Sequence, residues 1–170
     1  EAARNLFVFF QIQAAVALFF ALPVLVVAHN TTSSLTIWDA LGIAIWVVAA
    51  GCTALADRQQ ASVKARPESR GKTCREGLRR YSRHPNYFFE WLHWWAYAAL
   101  SVGSAYWWIP VAAPLLMLYF LLRVTGIPPT EAQAVASRGD DYREYQRTTS
   151  AFVPWFPKKE AERDESDRSG

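Results

Sequence analysis

The densest run of potentially reactive side chains is Tyr81-Ser82-Arg83-His84-Pro85-Asn86-Tyr87-Phe88-Phe89-Glu90-Trp91. Set on a helix from Arg83 onward, Arg83, Asn86, Tyr87, Glu90, His93, Trp94 and Tyr97 recur at spacings of three and four and form one stripe. A guanidinium at the mouth of such a helix can hold an anion through two parallel N–H bonds. The unpaired amides and dipole of the first turn favour a phosphate at the same place. Glu90, a turn deeper than Asn86, is placed to accept hydrogen bonds from an amide, a ribose or a basic partner. The same residues also fit a plainer use, in which Arg83 and His84 grip lipid headgroups and Glu90 pairs with a neighbouring cation. Residue types alone leave the two readings level. His93 by itself is read as a structural histidine.

Two other segments could complete a site. In Ala56–Lys64, the residues Asp57, Gln60, Ala61 and Lys64 share a helical face, which is either a solvated helix end or a wall opposite the stripe. Further on, Glu131, Arg138, Tyr142 and Arg147 could close a site from below, or belong to a surface amphipathic helix held by its aromatics. No His/Cys grouping has metal-ligand spacing, so no metal is expected. Cys52 and Cys74 have neither metal nor redox spacing and are read as ordinary thiols.

The elements that must position these residues are apolar helices. Of the 170 residues 52% are apolar, eight of them tryptophan, yet the mean hydropathy is close to zero, so apolar and polar residues are segregated along the chain. Four runs approach the roughly 20 residues that cross a bilayer: Leu6 to Ala28, Trp38 to Ala56, Tyr87 to Val102 and Tyr106 to Val124. The third is the weakest, because it carries Glu90 and His93. A polar stripe in such a helix is costly against lipid and tolerated against a bundle interior or wet cavity, so this helix is expected to line a pocket open to the cytoplasm. The loop from Asp57 to Asn86 holds nine Lys or Arg against three Asp or Glu, whereas His29 to Ile37 holds none. That asymmetry predicts a multi-pass protein with the central loop and both termini cytoplasmic.

Two features qualify this frame. The net charge of +3 sits mostly in the central loop; spans confine it to a membrane surface, which argues against nucleic acid and for anionic lipid or a phosphorylated cofactor. The chain opens on Glu1 rather than Met, and is expected to be a piece of something longer.

Beyond the fourth run, Gly126-Ile127-Pro128-Pro129 is expected to end the helix, with Thr130 capping a short helix to about Ser137 and Gly139 breaking it. A second short helix, Asp141 to Arg147, then places Tyr142 and Tyr145 on one face. The apolar, proline-rich run Phe152 to Pro157 is expected on the bundle or at the interface. The expected organisation is an all-α, polytopic transmembrane helix bundle over 1–157, with about four spans and a C-terminal cytoplasmic amphipathic helical segment. Residues 158–170 form a charged tail without apolar pattern, expected to be disordered.

Three motifs occur together: Ala56-Asp57-Arg58-Gln59 after one span; Tyr81-Ser82-Arg83-His84-Pro85-Asn86-Tyr87 with Glu90-Trp91 before the next; and Glu131-Ala132-Gln133, Gly139…Tyr142…Tyr145 and Pro154-Trp155-Phe156-Pro157 after the last. In combination they resemble the C-terminal steroid 5-alpha-reductase-like domain, and more narrowly the bacterial membrane proteins of the DUF1295 group, from about Asn5 to Pro157. The resemblance implies a bacterial inner-membrane protein with a cofactor at the cytoplasmic side of the bundle. By it, Asp57, Gln60 and Lys64 would contact the adenosine phosphate end. Arg83, His84, Asn86, Tyr87 and Glu90 would line the centre, and Glu131, Arg138, Tyr142, Tyr145 and Arg147 would close the pocket.

The wider superfamily holds NADPH-dependent reductases and S-adenosylmethionine-dependent isoprenylcysteine carboxyl methyltransferases. The Asn86-Tyr87-x-x-Glu90 extension and the dense basic loop resemble the reductases. The implied function is NADPH-dependent reduction of a carbon–carbon double bond in a lipid-like or steroid-like substrate, with Tyr87 and Glu90 as candidate catalytic, polarising groups. The alternatives are a methyltransferase using S-adenosylmethionine and a non-enzymatic membrane scaffold. Two departures from the family pattern stand out: Thr130 precedes Glu131 where an acidic residue is usual, and Val63 precedes Lys64 where an aromatic is common.

Overall fold

The computed structural model describes residues 1–31, 34–69 and 71–158; the tail expected to be disordered lies outside them, apart from Lys158. The described chain is helical, and its one β-feature is a parallel bridge between Ser82 and Ser150. Six α-helices follow in order: α1 Ala2–Ala28, α2 Ile37–Lys64, α3 Pro85–Leu100, α4 Trp108–Tyr119, α5 Ile127–Arg138 and α6 Asp140–Thr148. A π-helical turn, Phe120–Val124, continues α4.

Among the described residues three helical runs are long and apolar enough to cross a membrane: α1, α2, and Trp108–Arg138 taken together. α1 exposes Leu6, Phe7, Phe9, Phe10 and Ile12, a surface that suits hydrocarbon rather than water, and the chain is read as an integral membrane protein. Four spans were expected; α3 has only 16 residues, about 24 Å at 1.5 Å per residue, which falls short of the bilayer core.

The chain divides into two compact units. The first comprises Glu1–Val47 and Leu92–Met117. Here Thr36 and Asp39 cap α2 reciprocally: Asp39 accepts from the Thr36 amide at 2.7 Å, and the Asp39 amide donates to Thr36 Oγ1 at 3.4 Å. Gly42 lets α2 approach α3, since a Cβ there would lie 2.6 Å from Leu100 Cγ. Phe20 packs on Trp94 at 4.7 Å between centroids, and His93 sits among Trp46, Trp94 and Tyr97. His93 is thus an aromatic-packed residue, as the sequence suggested.

The second unit comprises Val48–Trp91 and the described part of Leu118–Gly170, and holds nearly all the motif residues. The segment before α3 is not helical. Pro85 stands at the first position of α3, where its missing N–H is not needed, and Phe88 donates to the His84 carbonyl at 3.2 Å. Arg83 therefore does not begin the stripe. Its amide donates to the Ser150 carbonyl at 2.8 Å, and Trp155 donates to the Tyr81 carbonyl at 2.9 Å. Ser82, wholly buried, donates from Oγ to the Phe152 carbonyl at 2.8 Å.

α5 also differs from expectation. It starts at Ile127, and Pro128 and Pro129 lie inside its first turn. Thr130 is not the cap; its Oγ1 donates back to the Gly126 carbonyl at 2.7 Å. Gly126 is required because a Cβ there would meet the Leu121 carbonyl at 2.6 Å, just where the π-helical turn closes. Gly139, at φ +57°, breaks α5 from α6 as expected.

Candidate functional site

Pairing of Tyr81–Arg83 with the segment after α6 turns the Arg83 side chain into the protein. Its Nε donates to Glu131 Oε1 at 2.6 Å and its Nη2 to Glu131 Oε2 at 3.1 Å. Nη1 donates to the carbonyls of Gln146 at 2.7 Å and Thr149 at 3.1 Å. Four of five N–H donors are thereby committed, on a side chain 10% exposed. The anion clamp expected of Arg83 is thus internal, and its anion is a carboxylate of the chain itself.

Glu131 is the hub of this cluster. Besides Arg83 it accepts from Gln146 Nε2 at 2.9 Å and lies 3.2 Å from His84 Nε2. A carboxylate paired with a guanidinium only accepts, so His84 Nε2 carries a proton directed at Glu131. His84 in turn stacks on Tyr87, with 5.3 Å between ring centroids and 7° between planes. Tyr87 Oη lies 3.3 Å from Thr130 Oγ1. Because the Thr130 hydroxyl gives its proton to Gly126, Tyr87 must be the donor in that contact.

α6 braces the cluster. Tyr142 and Tyr145 are buried and meet edge to face, 5.8 Å apart. Tyr142 Oη lies 3.5 Å from Glu131 Oε1, and burial followed by the Glu131 charge pushes its phenol up to about 12. Tyr145 donates to the Arg79 carbonyl, and burial raises its phenol further. Arg79 donates from Nη2 to Gln60 Oε1 at 2.8 Å and from Nη1 to the Arg83 carbonyl at 2.8 Å.

Beside the cluster lies a cavity of about 380 Å³, within the range of small-molecule sites. Of the residues singled out from sequence, Gln60, Lys64, His84, Asn86, Tyr87, Arg138 and Tyr142 line it. Arg83 and Glu131 stand behind it and hold His84 and Tyr142 in place. Tyr145 lines a smaller neighbouring space of about 50 Å³, shared with Lys64, Arg79 and Arg138. Asp57 and Glu90 are exposed and stand outside the lining. Arg147 lines a different cavity.

Sequence reasoning missed Arg79, Thr130, Gln133 and Ser137, all lining residues. The last three had a readable signal, since Thr130, Gln133 and Ser137 recur at spacings of three and four on α5. Arg79 had none, because nothing local separates it from Arg80.

The lining is suited to a polar, anionic ligand with a planar part. Lys64, Arg79 and Arg138 supply charge, Gln60, Asn86 and Gln133 supply amides, and Tyr87 supplies a ring face and a hydroxyl. Among the described residues no group of three or more His, Cys, Asp or Glu could hold a metal ion.

A family model described as a protein of unknown function, DUF1295, matches residues 1–149. No curated protein and no solved structure matches the chain.

Proposed function

Since the chain belongs to the DUF1295 family, whose members are membrane proteins of the steroid 5-alpha-reductase-like type, we propose that it is an NADPH-dependent reductase of a carbon–carbon double bond in a lipid-like or steroid-like substrate. The observation that carries this reading is the composition of the cavity. Three cations, three amides and two tyrosines line one space of about 380 Å³, and that donor set fits a phosphate-rich cofactor.

In this reading Lys64, Arg79 and Arg138 hold the phosphates, and Gln60, Gln133 and Asn86 bond the sugar and amide groups. When bound, NADPH supplies a hydride. Tyr87 is the candidate to give the proton that the second alkene carbon needs: its O–H is already a donor, directed at Thr130 Oγ1, and turning it to substrate costs one neutral hydrogen bond. Glu131 orients His84, and the His84 ring supports the face of Tyr87. Glu90, exposed on α3, remains a candidate only where substrate reaches that surface.

The test is parallel calorimetric titration of the detergent-solubilised protein with NADPH, NADH and S-adenosylmethionine. Saturable NADPH binding weakened by Lys64→Ala supports the reductase and justifies an alkene screen. Binding of S-adenosylmethionine alone transfers the cavity to methyl transfer. Absence of binding by all three, in folded protein, removes both enzymes.

A further inference from the structure

The second unit carries another cavity, of about 310 Å³, with Arg83 in its lining. Gln146, Arg147, Thr148, Trp155, Phe156 and Lys158 are among its walls, and none of them lines the cavity described above. We propose that this cavity and the apolar ridge beside it form a docking site for an anionic phospholipid, with the phosphodiester held by Arg147 and Lys158 and the acyl chains against Trp155 and Phe156.

The ridge is fixed and yet exposed. Trp155 is bonded through its amide to the Tyr81 carbonyl, and the Lys158 amide donates to the Thr148 carbonyl at 2.9 Å. Phe156 touches the Tyr81 ring edge-on at 5.9 Å. Even so, Val153 is 52%, Trp155 69% and Phe156 77% exposed. A segment anchored by its backbone with three large apolar side chains turned outward is a surface made for an apolar phase. Tryptophan suits the membrane–water boundary, where its ring is apolar and its N–H is wetted.

Charge selects the lipid class. Arg147 and Lys158 are both exposed on the same cavity, and cations beside an apolar ridge favour anionic over zwitterionic headgroups. Arg83 also lines this cavity, but its charge is balanced by Glu131 and its guanidinium is occupied by Glu131, Gln146 and Thr149, so the selection rests on Arg147 and Lys158. The alternatives, a free phosphate or a purely apolar contact, each lack one of these two halves.

The experiment uses the full chain reconstituted in vesicles with a nitroxide at Val153→Cys, in a background of Cys52→Ser and Cys74→Ser. Relaxation by oxygen is compared with relaxation by a water-soluble nickel chelate. In vesicles containing phosphatidylglycerol, the oxygen-to-nickel accessibility ratio should rise several-fold over that in pure phosphatidylcholine. The rise should disappear in the Arg147→Glu, Lys158→Glu double variant, whose fold is checked by circular dichroism. A ratio equal in the two lipids overturns the proposal, as does a rise in phosphatidylcholine on adding inorganic phosphate. If the double variant misfolds, native mass spectrometry of the wild-type chain decides: preferential retention of phosphatidylglycerol supports the site, and equal retention overturns it.

Discussion

Arg83 Nε and Glu131 Oε1 lie 2.6 Å apart, with side chains 10% and 15% exposed, joining the segment before α3 to α5 across 48 positions of sequence. Such a pair adds little over a well-packed apolar one, but removing one partner strands a buried charge. Glu131→Ala leaves the guanidinium with only carbonyl partners. It is expected to cost about 3–5 kcal/mol, read as a lower apparent melting temperature in detergent. Glu131→Gln, which keeps the shape and one acceptor, should cost less. A variant as stable as wild type would mean that the pair does not hold the unit together.

The outer cations behave differently. Lys64 is exposed, and Arg138 lies over the Tyr142 ring at 5.8 Å. Lys64→Ala should leave the melting temperature unchanged and weaken NADPH about tenfold, the size of one charge-assisted bond. The loss should shrink as salt is raised, because exposed charges are screened. Affinity unaffected by the substitution at low salt would take the phosphates away from this wall.

This contrast marks what the sequence could convey. The apolar runs of α1 and α2, the Gln60/Lys64 face and the Tyr142/Tyr145 pair follow from periodicity alone and recur in the structure. Arg83 does not, because the helical period holds only from Pro85, two residues further on. Its true neighbours, Ser150 and Glu131, are set by a long-range pairing of Tyr81–Arg83 with the chain beyond α6, which leaves no local pattern. Pro128 and Pro129 misled for a different reason: prolines that would end a helix are equally at home in its first turn.

Tyr87→Phe separates chemistry from binding. The substitution keeps the ring stacked on His84 and removes only the hydroxyl that donates to Thr130. If Tyr87 gives the proton, turnover of an alkene substrate should fall roughly hundred- to ten-thousand-fold, with NADPH affinity unchanged. Parallel losses in affinity and turnover would instead make the hydroxyl a binding group. Tyr142, pushed up to about 12, should contribute no titration to the rate near neutral pH.

Gly77 offers a test of the central loop. Its φ is +60°, and a Cβ there would run into the Gln59 carboxamide, whose oxygen accepts from the Leu78 amide at 2.9 Å. Gly77→Ala combines about 1–2 kcal/mol of left-handed strain with a displaced hydrogen bond worth about 1 kcal/mol. A melting temperature lower than that of Gly71→Ala, where φ is +75° but no atom lies within 4 Å, isolates the contact from the strain. Equal losses would assign the whole effect to backbone conformation.

The same loop is tied to α6 by Asp141, which accepts from the Thr73 amide and from Arg75 Nη2, each at 2.7 Å. Burial pushes this carboxyl up, but hydrogen bonds from Thr73 and the Arg75 charge outweigh it and hold it below its ordinary 3.8. A depressed carboxylate contributes stability that is complete above the unfolded value, about 3.9, and is lost as pH falls through the folded one. Because Asp141 and Arg75 are each about two-fifths exposed, the effect is local release of the loop rather than unfolding. A nitroxide at Lys72→Cys, with both native cysteines replaced by serine, should stay immobile from pH 7 to 5 and gain mobility below about pH 4. Asp141→Asn should show that mobility already at pH 7, since the neutral amide loses the attraction of Arg75 while keeping its shape. A label equally immobile in both proteins down to pH 3 would place the anchor of the loop elsewhere, with Glu144, 3.6 Å from Arg75, as the next carboxylate to neutralise.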